Sequence, residues 1–215
     1  MASCDSRLKT WHKVPIDLDE ILSIAAKALE LDPNLGEAYA AQGEALNASM
    51  RKAEAEAAFE RALELDPNNF VAHLFYARFC VTQGKLDQAA EHYVRALEIR
   101  PDDCQSPLLL EQVLRSLGRG DEGIPYLRMG VKRAEEELRL HPESSRPAQL
   151  GACALAQLGE KEKSLKWLER VMIIDPNDNG ARYNAACTYA LLGEPDRAID
   201  LLYDWVKEAG SEQRN

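Results

Sequence analysis

Few side chains in this 215-residue chain have a type and spacing that could perform catalysis. None of the four histidines has a paired metal-ligand spacing, and His73 is expected to be a packing residue. The acidic pairs Asp102/Asp103 and Glu135/Glu136 are explained by helix ends and solvated faces. The sequence contains no glycine-rich phosphate loop, no HExxH and no GxSxG. We therefore predict no catalytic residues, no cofactor-binding residues and no metal ligands, and we expect that the protein is not an enzyme.

The five cysteines are scattered and do not form a recognisable site. No two of them have the CxxC spacing of zinc sites or dithiol redox centres. Reduced cysteine usually behaves as a small apolar residue in protein interiors. We expect this role for Cys4, Cys80, Cys104, Cys153 and Cys187.

The overall charge and hydropathy exclude two classes of partner. The formal net charge is −10 and the sequence has no basic run, which argues against binding to a phosphate backbone. No apolar stretch approaches the roughly 20 residues that span a bilayer. The segment 1–16 lacks the unbroken apolar core of a secretory signal. The expectation is a cytoplasmic protein that binds neither nucleic acid nor membrane.

The elements that position all these side chains are marked by five prolines. Each proline closes a similar phrase; the phrases are LELDPN, LELDPN, LEIRPD, LRLHPE and MIIDPN. The prolines are Pro33, Pro67, Pro101, Pro142 and Pro176, and their numbers differ successively by 34, 34, 41 and 34. Such a regular period indicates one structural unit that is repeated and stacked.

Small and large residues recur at fixed positions within each unit. Numbering a unit from Gly36, positions 4, 8 and 11 share one face of a first helix, and positions 20, 24 and 27 share one face of a second. This pattern resembles the tetratricopeptide repeat, whose signature is W-x2-L-G-x2-Y, then A-x3-F, then P. The residues of the first unit that carry the resemblance are Tyr39, Gly43, Leu46, Ala55, Phe59, Ala62 and Pro67.

The resemblance implies an all-α, right-handed superhelical solenoid of antiparallel helix pairs. It covers residues 17–209 as a half repeat followed by five full repeats. We expect residues 1–16 to form an N-terminal segment that caps the stack, and residues 210–215 to form a disordered tail. The expected units are a half repeat at 17–35 and repeats at 36–69, 70–103, 104–144, 145–178 and 179–209.

Two departures from the repeat locate irregular structure. The third repeat has seven extra residues, or about two helical turns, which predicts one long helix from about Asp121 to Leu140. At position 15, four repeats have a glycine that suits the left-handed end of a first helix. The first repeat has Met50 there, so its turn is expected to differ.

By resemblance, positions 2, 5, 9 and 12 of the first helices line a concave groove. These positions hold three arginines in the middle of an acidic chain, and arginine pairs well with carboxylates. The prediction is an extended peptide of acidic character as ligand; the alternative is that these arginines are ordinary solvated surface. The predicted groove residues are Arg78, Leu108, Gln112, Arg115, Arg146, Gln149 and Tyr183.

The two ends of the array are uneven. Leu8 and Trp11 are candidates to cover the flank of the half repeat. At the other end, Trp205 stands where alanine is usual and would block a further repeat. The alternative is that Ile199, Trp205 and Val206 form an apolar patch that makes a homo-oligomer.

Three functions follow from these features. The first is a non-catalytic scaffold or adaptor that binds a partner peptide in the groove. The second is the regulatory segment of a multidomain bacterial signalling protein, because the last two repeats resemble repeat tracts that follow class III nucleotide cyclases. The third is a self-assembling structural protein.

Overall fold

A computed structural model describes residues 17–176 and 178–212, with side chains as far as Tyr203. Eleven α-helices lie within these residues. In chain order they are α1 (Leu18–Leu31), α2 (Gly36–Ala48), α3 (Lys52–Leu65), α4 (Phe70–Thr82), α5 (Leu86–Ile99), α6 (Gln105–Ser116), α7 (Gly120–Leu140), α8 (Ser145–Gln157), α9 (Lys161–Ile174), α10 (Asn179–Leu191) and α11 (Pro195–Glu212).

The helices form sequential antiparallel pairs, as the repeat pattern predicts. Within pairs, α2 packs on α3, α4 on α5, α8 on α9 and α10 on α11. First helices of successive pairs also touch, as α2 does with α4 and α8 does with α10. The all-α architecture of paired helices is confirmed. Helix α7 begins at Gly120, one residue before the predicted start at Asp121.

The described residues form two compact units, divided within α7 between Tyr126 and Leu127. The core of residues 17–126 contains stacked aromatic rings, with the centroids of Phe59 and Tyr76 5.3 Å apart. The core of residues 127–212 is built around Leu168 and Tyr189 with several alanines. The first unit therefore has a bulkier, more aromatic interior than the second.

Five first helices end in the same left-handed turn. Gly84, Gly118, Gly159 and Gly193 have φ between 72° and 78°, and Met50 has φ 61°. In each turn the next amide donates to a carbonyl five residues earlier, as Arg51 N does to Leu46 O at 2.9 Å. The expectation of a different turn at Met50 is wrong, because the surrounding hydrogen bonds impose the conformation whatever the side chain.

Close approach of paired helices depends on a small residue opposite a large one. A Cβ added to Gly43 would lie 2.7 Å from Cε1 of Phe59, so only glycine fits there. The third repeat reverses the arrangement: Glu111 occupies the usual small position of α6, and Gly123 of α7 makes room for it. A Cβ added to Gly123 would lie 2.8 Å from Cγ of Glu111.

Several expectations for the ends fall outside the described residues. These are the cap at residues 1–16, including Leu8 and Trp11, and the side chains of Trp205 and Val206. Helix α11 continues to Glu212, three residues beyond the predicted end of the array at 209. Ile199 of α11 is 61% exposed.

Candidate functional site

A cavity of about 320 Å³ lies along the first helices of the unit formed by residues 17–126. We call it the first-helix cavity. Helices α2, α4 and α6 supply most of its wall, and α5 supplies Leu86 and Tyr93. The lining residues are Glu44, Asn47, Arg78, Val81, Thr82, Leu86, Tyr93, Leu109, Gln112, Val113 and Ser116.

The repeat period explains why polar groups meet in this cavity. Glu44, Arg78 and Gln112 follow one another at one full period and all occupy position 9 of their repeats. Equivalent positions on stacked first helices form a row, so these three side chains line one cavity. Asn47 and Val81 form a second row, at position 12.

Glu44 and Arg78 form the electrostatic centre of the cavity. Arg78 Nη1 lies 3.4 Å from Glu44 Oε1, and the residue Glu44 is only 5% exposed. The guanidinium carbon of Arg78 lies 5.8 Å from the centre of the Phe75 ring, a cation–π contact that also orients it. Glu44 Oε2 is buried and has no hydrogen-bond partner within the described residues.

The apolar part of the wall is partly accessible. Val81 is 40% exposed, whereas Leu86 and Leu109 are half-buried. Tyr93 and Val113 close the interior side. The cavity thus combines an apolar slot with one ion pair and two amide side chains, a composition typical of binding sites.

The predicted groove residues of this unit have different surroundings. Arg78 and Gln112 line the cavity. Leu108 is 2% exposed and is therefore inaccessible to a ligand; its neighbour Leu109 lines the cavity instead. Arg115 lies outside the lining, and its Nε donates to Glu111 Oε1 at 3.2 Å.

Glu111 of α6 is an unusual buried acid that packs against Gly123 of α7. Burial raises the pKa of its carboxyl group, and the neighbouring Arg115 opposes that change. The pair explains why a charged residue is tolerated at a position that is normally small. It also means that Arg115, like Arg78, has a glutamate partner.

The remaining predicted groove residues belong to the unit formed by residues 127–212. Gln149 is buried, donates to Ser145 Oγ at 3.2 Å and accepts from Asn184 Nδ2 at 3.3 Å. Tyr183 is exposed, and the neighbouring Cys187 raises the pKa of its hydroxyl. Arg146 is half-buried on α8.

Sequence reasoning missed two participants. Glu44 stands at the inward position 9 of its repeat but was not selected as a groove residue, although it precedes the oppositely charged Arg78 by one repeat period, which signals an ion pair between adjacent helices. Asn184 was missed because nothing in the sequence connects it with Gln149.

A histidine pair lies away from the cavity, between α4 and α5. His73 Nε2 is 3.1 Å from the carbonyl of Pro67, and His73 Nδ1 is 3.0 Å from His92 Nδ1. Because Pro67 O can only accept, His73 carries its proton on Nε2, and His92 Nδ1 donates to His73. The expectation that His73 is a packing residue agrees with its burial.

No set of three or more metal-ligating side chains comes together within the described residues. Burial raises the pKa of the Cys80 thiol to about 11, so this sulfur is protonated and a poor nucleophile at neutral pH. No helix in the described part of the chain is long and apolar enough to span a bilayer.

Comparison with known proteins identifies the repeat. Residues 48–106 match the family model described as "Tetratricopeptide repeat". This part of the chain consists of tetratricopeptide repeats, and the described residues have the tetratricopeptide-repeat fold. No curated protein matches it by sequence, so the resemblance of the last two repeats to tracts that follow nucleotide cyclases stays a prediction.

Solved structures share the tetratricopeptide-repeat fold. TTC0263, a thermophilic TPR protein in Thermus thermophilus, is 21% identical with a TM-score of 0.64, over 83% of this chain and 94% of that chain. PilW, a type IV pilus biogenesis factor, is 20% identical with a TM-score of 0.60, over 81% and 78%. YrrB, a TPR protein with an unusual peptide-binding site, is 23% identical with a TM-score of 0.51, over 88% and 97%.

Proposed function

We propose that this protein is a non-catalytic scaffold that binds an extended segment of a partner protein in the first-helix cavity. The observation that carries the proposal is the cavity itself, where three successive first helices present an apolar slot beside Glu44, Arg78 and Gln112. YrrB, which has this fold, is described as having a peptide-binding site, and this supports the same use of the fold here.

The size of the cavity favours an extended segment over a helix. An α-helix with its side chains is about 10–12 Å wide, and two turns of it fill well over the volume available. A cavity of about 320 Å³ accommodates one side chain and the adjoining main chain. The ligand therefore enters as an extended strand that inserts single side chains.

The predicted acidic character of the ligand rested on three arginines. Arg78 and Arg115 each contact a glutamate, so less positive charge remains for a ligand than the sequence alone implies. Arg146 lies in the other unit. An acidic ligand stays a prediction, and titration with neutral, acidic and basic leucine derivatives distinguishes it from a neutral or a basic one.

Selection from a random peptide library tests the proposal. Val81→Glu places a charge in the apolar slot, and Ile24→Glu is the matched control, because Ile24 is 43% exposed against 40% for Val81 and lies outside the cavity. Wild type and Ile24→Glu should enrich the same peptides, whereas Val81→Glu should not. Enrichment that is unchanged in Val81→Glu, or no enrichment on wild type, would contradict the proposal.

Self-association through α11 is a second candidate function. Ile199 and Tyr203 lie one turn apart on this helix and are 61% and 66% exposed, which leaves apolar surface for a second copy. Light scattering over a range of concentrations should show a rise in mass that Ile199→Lys abolishes. A constant monomeric mass would rule out this candidate.

A further inference from the structure

The Glu44–Arg78 pair is not fully hydrogen-bonded. The contact between Nη1 and Oε1 is 3.4 Å, longer than the charge-assisted hydrogen bonds that such groups normally form. Glu44 Oε2 is without a partner in the described residues although Glu44 is nine-tenths buried. The guanidinium has five N–H donors, and its one ion pair within the described residues is with Glu44, which leaves donors for other acceptors.

A ligand that both donates and accepts complements this pair. The two side chains have opposite charges, so the net charge of the pair is close to zero. The pair therefore attracts neither an anion nor a cation strongly. Glu44 Oε1 is an acceptor and can receive a donor from the ligand. Arg78 needs an acceptor. A main-chain amide group supplies both, since its carbonyl accepts and its N–H donates.

The oxygen of Glu44 that a ligand can approach is Oε1, which lies beside Arg78, because Oε2 is fully buried. The 3.4 Å contact with Arg78 leaves Oε1 able to accept a further, shorter hydrogen bond.

The cavity wall beside Glu44 and Arg78 determines which kind of ligand side chain can lie next to the recognised amide. Val81, Leu109 and Val113 are apolar, and Val81 is the most exposed of them. The cavity volume of about 320 Å³ is at the lower end of the range for ligand sites. It suits one large aliphatic side chain adjoining the recognised amide.

We propose, building on the proposed function, that the first-helix cavity recognises a neutral extended segment with one large aliphatic anchor. The carbonyl of the anchor's peptide group accepts from Arg78, and an adjacent N–H donates to Glu44. The anchor side chain fills the slot between Val81, Leu109 and Val113. The ligand class is thus an apolar, uncharged strand rather than an acidic peptide.

Four small probes test this chemistry on the isotope-labelled full chain by NMR titration. N-acetyl-leucinamide has the anchor and two neutral amides. N-acetyl-leucine adds a carboxylate, leucinamide adds an ammonium group, and N-acetylglycinamide removes the anchor. N-acetyl-leucinamide should shift the resonances of Val81, Leu109 and Gln112, and should bind at least about threefold more tightly than each of the others.

Other outcomes overturn the inference and remain distinguishable from failure of the proposed function. Tighter binding of N-acetyl-leucine at the same residues supports the acidic ligand, and tighter binding of leucinamide supports a cationic one. In both cases a peptide cavity stands and the neutral-amide proposal falls. If N-acetylglycinamide binds as tightly as N-acetyl-leucinamide, the aliphatic side chain does not contribute to recognition, and the anchor part of the proposal is wrong. No shift at these residues with any probe overturns the inference, while the library selection judges peptide binding independently.

Variants of the pair test its role directly. Glu44→Gln and Arg78→Gln should each weaken binding of N-acetyl-leucinamide about tenfold, the range expected for loss of a hydrogen bond to a charged group. Arg119→Gln is the matched control, because Arg119 pairs with Glu122 and lies outside the cavity. Unchanged unfolding midpoints would show that the fold is retained, and unchanged affinity in Glu44→Gln and Arg78→Gln would overturn the proposal.

Discussion

Gly151 of α8 lies directly against the indole ring of Trp167 of α9. A Cβ atom added at residue 151 would be 2.0 Å from Cζ3 of Trp167, far closer than any two carbons can pack. In this repeat the large side chain is on the second helix, and the glycine that makes room for it is on the first helix. The tryptophan thereby fills the joint between the paired helices.

Gly151→Ala should therefore destabilise the protein by about 1–3 kcal/mol, the usual effect of overpacking. Urea denaturation gives the change in unfolding free energy. Gly120→Ala is the control, because a Cβ added there meets nothing within 4 Å, and it should change stability by less than about 0.5 kcal/mol. Equal losses in the two variants would show that Trp167 moves aside freely.

Met50→Gly should stabilise the protein. Met50 has φ 61°, and a residue with a side chain is destabilised by about 1–2 kcal/mol in this left-handed region, partly offset by the greater backbone entropy of unfolded glycine. We expect a net gain of about 0.5–1 kcal/mol in unfolding free energy.

Gly118→Ala is the reciprocal test, at the equivalent left-handed turn of the third repeat. A Cβ there meets nothing within 4 Å, so any loss of stability comes from the backbone conformation alone. We expect a loss of about 1 kcal/mol. A gain in Gly118→Ala, or a loss in Met50→Gly, would mean that the turns are not equivalent.

The His73–His92 pair predicts a loss of stability in mild acid. Burial lowers the pKa of both imidazoles, and the pKa of His92 falls to about 4 from its ordinary value of 6.5. The unfolded chain therefore binds more protons than the folded chain between these values, and stability falls as pH decreases below 6.5.

The variant His92→Gln isolates this effect, because its amide can still donate to His73 while the side chain no longer titrates. Unfolding midpoints measured from pH 7.5 to pH 5 should fall more steeply in wild type than in His92→Gln. Other charged groups near the pair, Asp66 and Arg95, are unchanged in both proteins. Parallel pH profiles would contradict the assignment.

Glu111 and Gly123 should show strong energetic coupling. Gly123→Ala forces a Cβ to 2.8 Å from Cγ of Glu111, with an expected loss of about 1–3 kcal/mol. In a Glu111→Ala background the same substitution no longer meets that Cγ atom and should cost little. The double-mutant cycle measures this difference, and additive effects would argue that the reversed packing of the third repeat is incidental.

The helices were predictable because their ends are marked in the sequence. The proline phrases stop second helices, and the seven-residue insertion gave the bounds of α7 to within one residue. Met50 was mispredicted because a turn's conformation depends on hydrogen bonds made by its neighbours, which outweigh the preference of one residue.

The candidate site was only partly predictable for a similar reason. Arg78 and Gln112, which the sequence puts one repeat apart, both line the first-helix cavity, and their role as ligand-binding residues stays a prediction. Leu108 was predicted to line the groove but is buried, whereas Leu109 lines the cavity, because one residue turns a helix by about 100°. The unsatisfied oxygen of Glu44 depends on distances that no sequence pattern contains.

The most direct test of the first-helix cavity is paramagnetic relaxation from a spin label on a library-selected peptide. We predict that the label broadens the methyl resonances of Val81, Leu109 and Val113, which line the cavity. The methyl groups of Ile24 and Val94, which lie outside it, should be broadened less. Broadening of Ile24 or Val94 with no effect on Val81 would show that the partner binds another face.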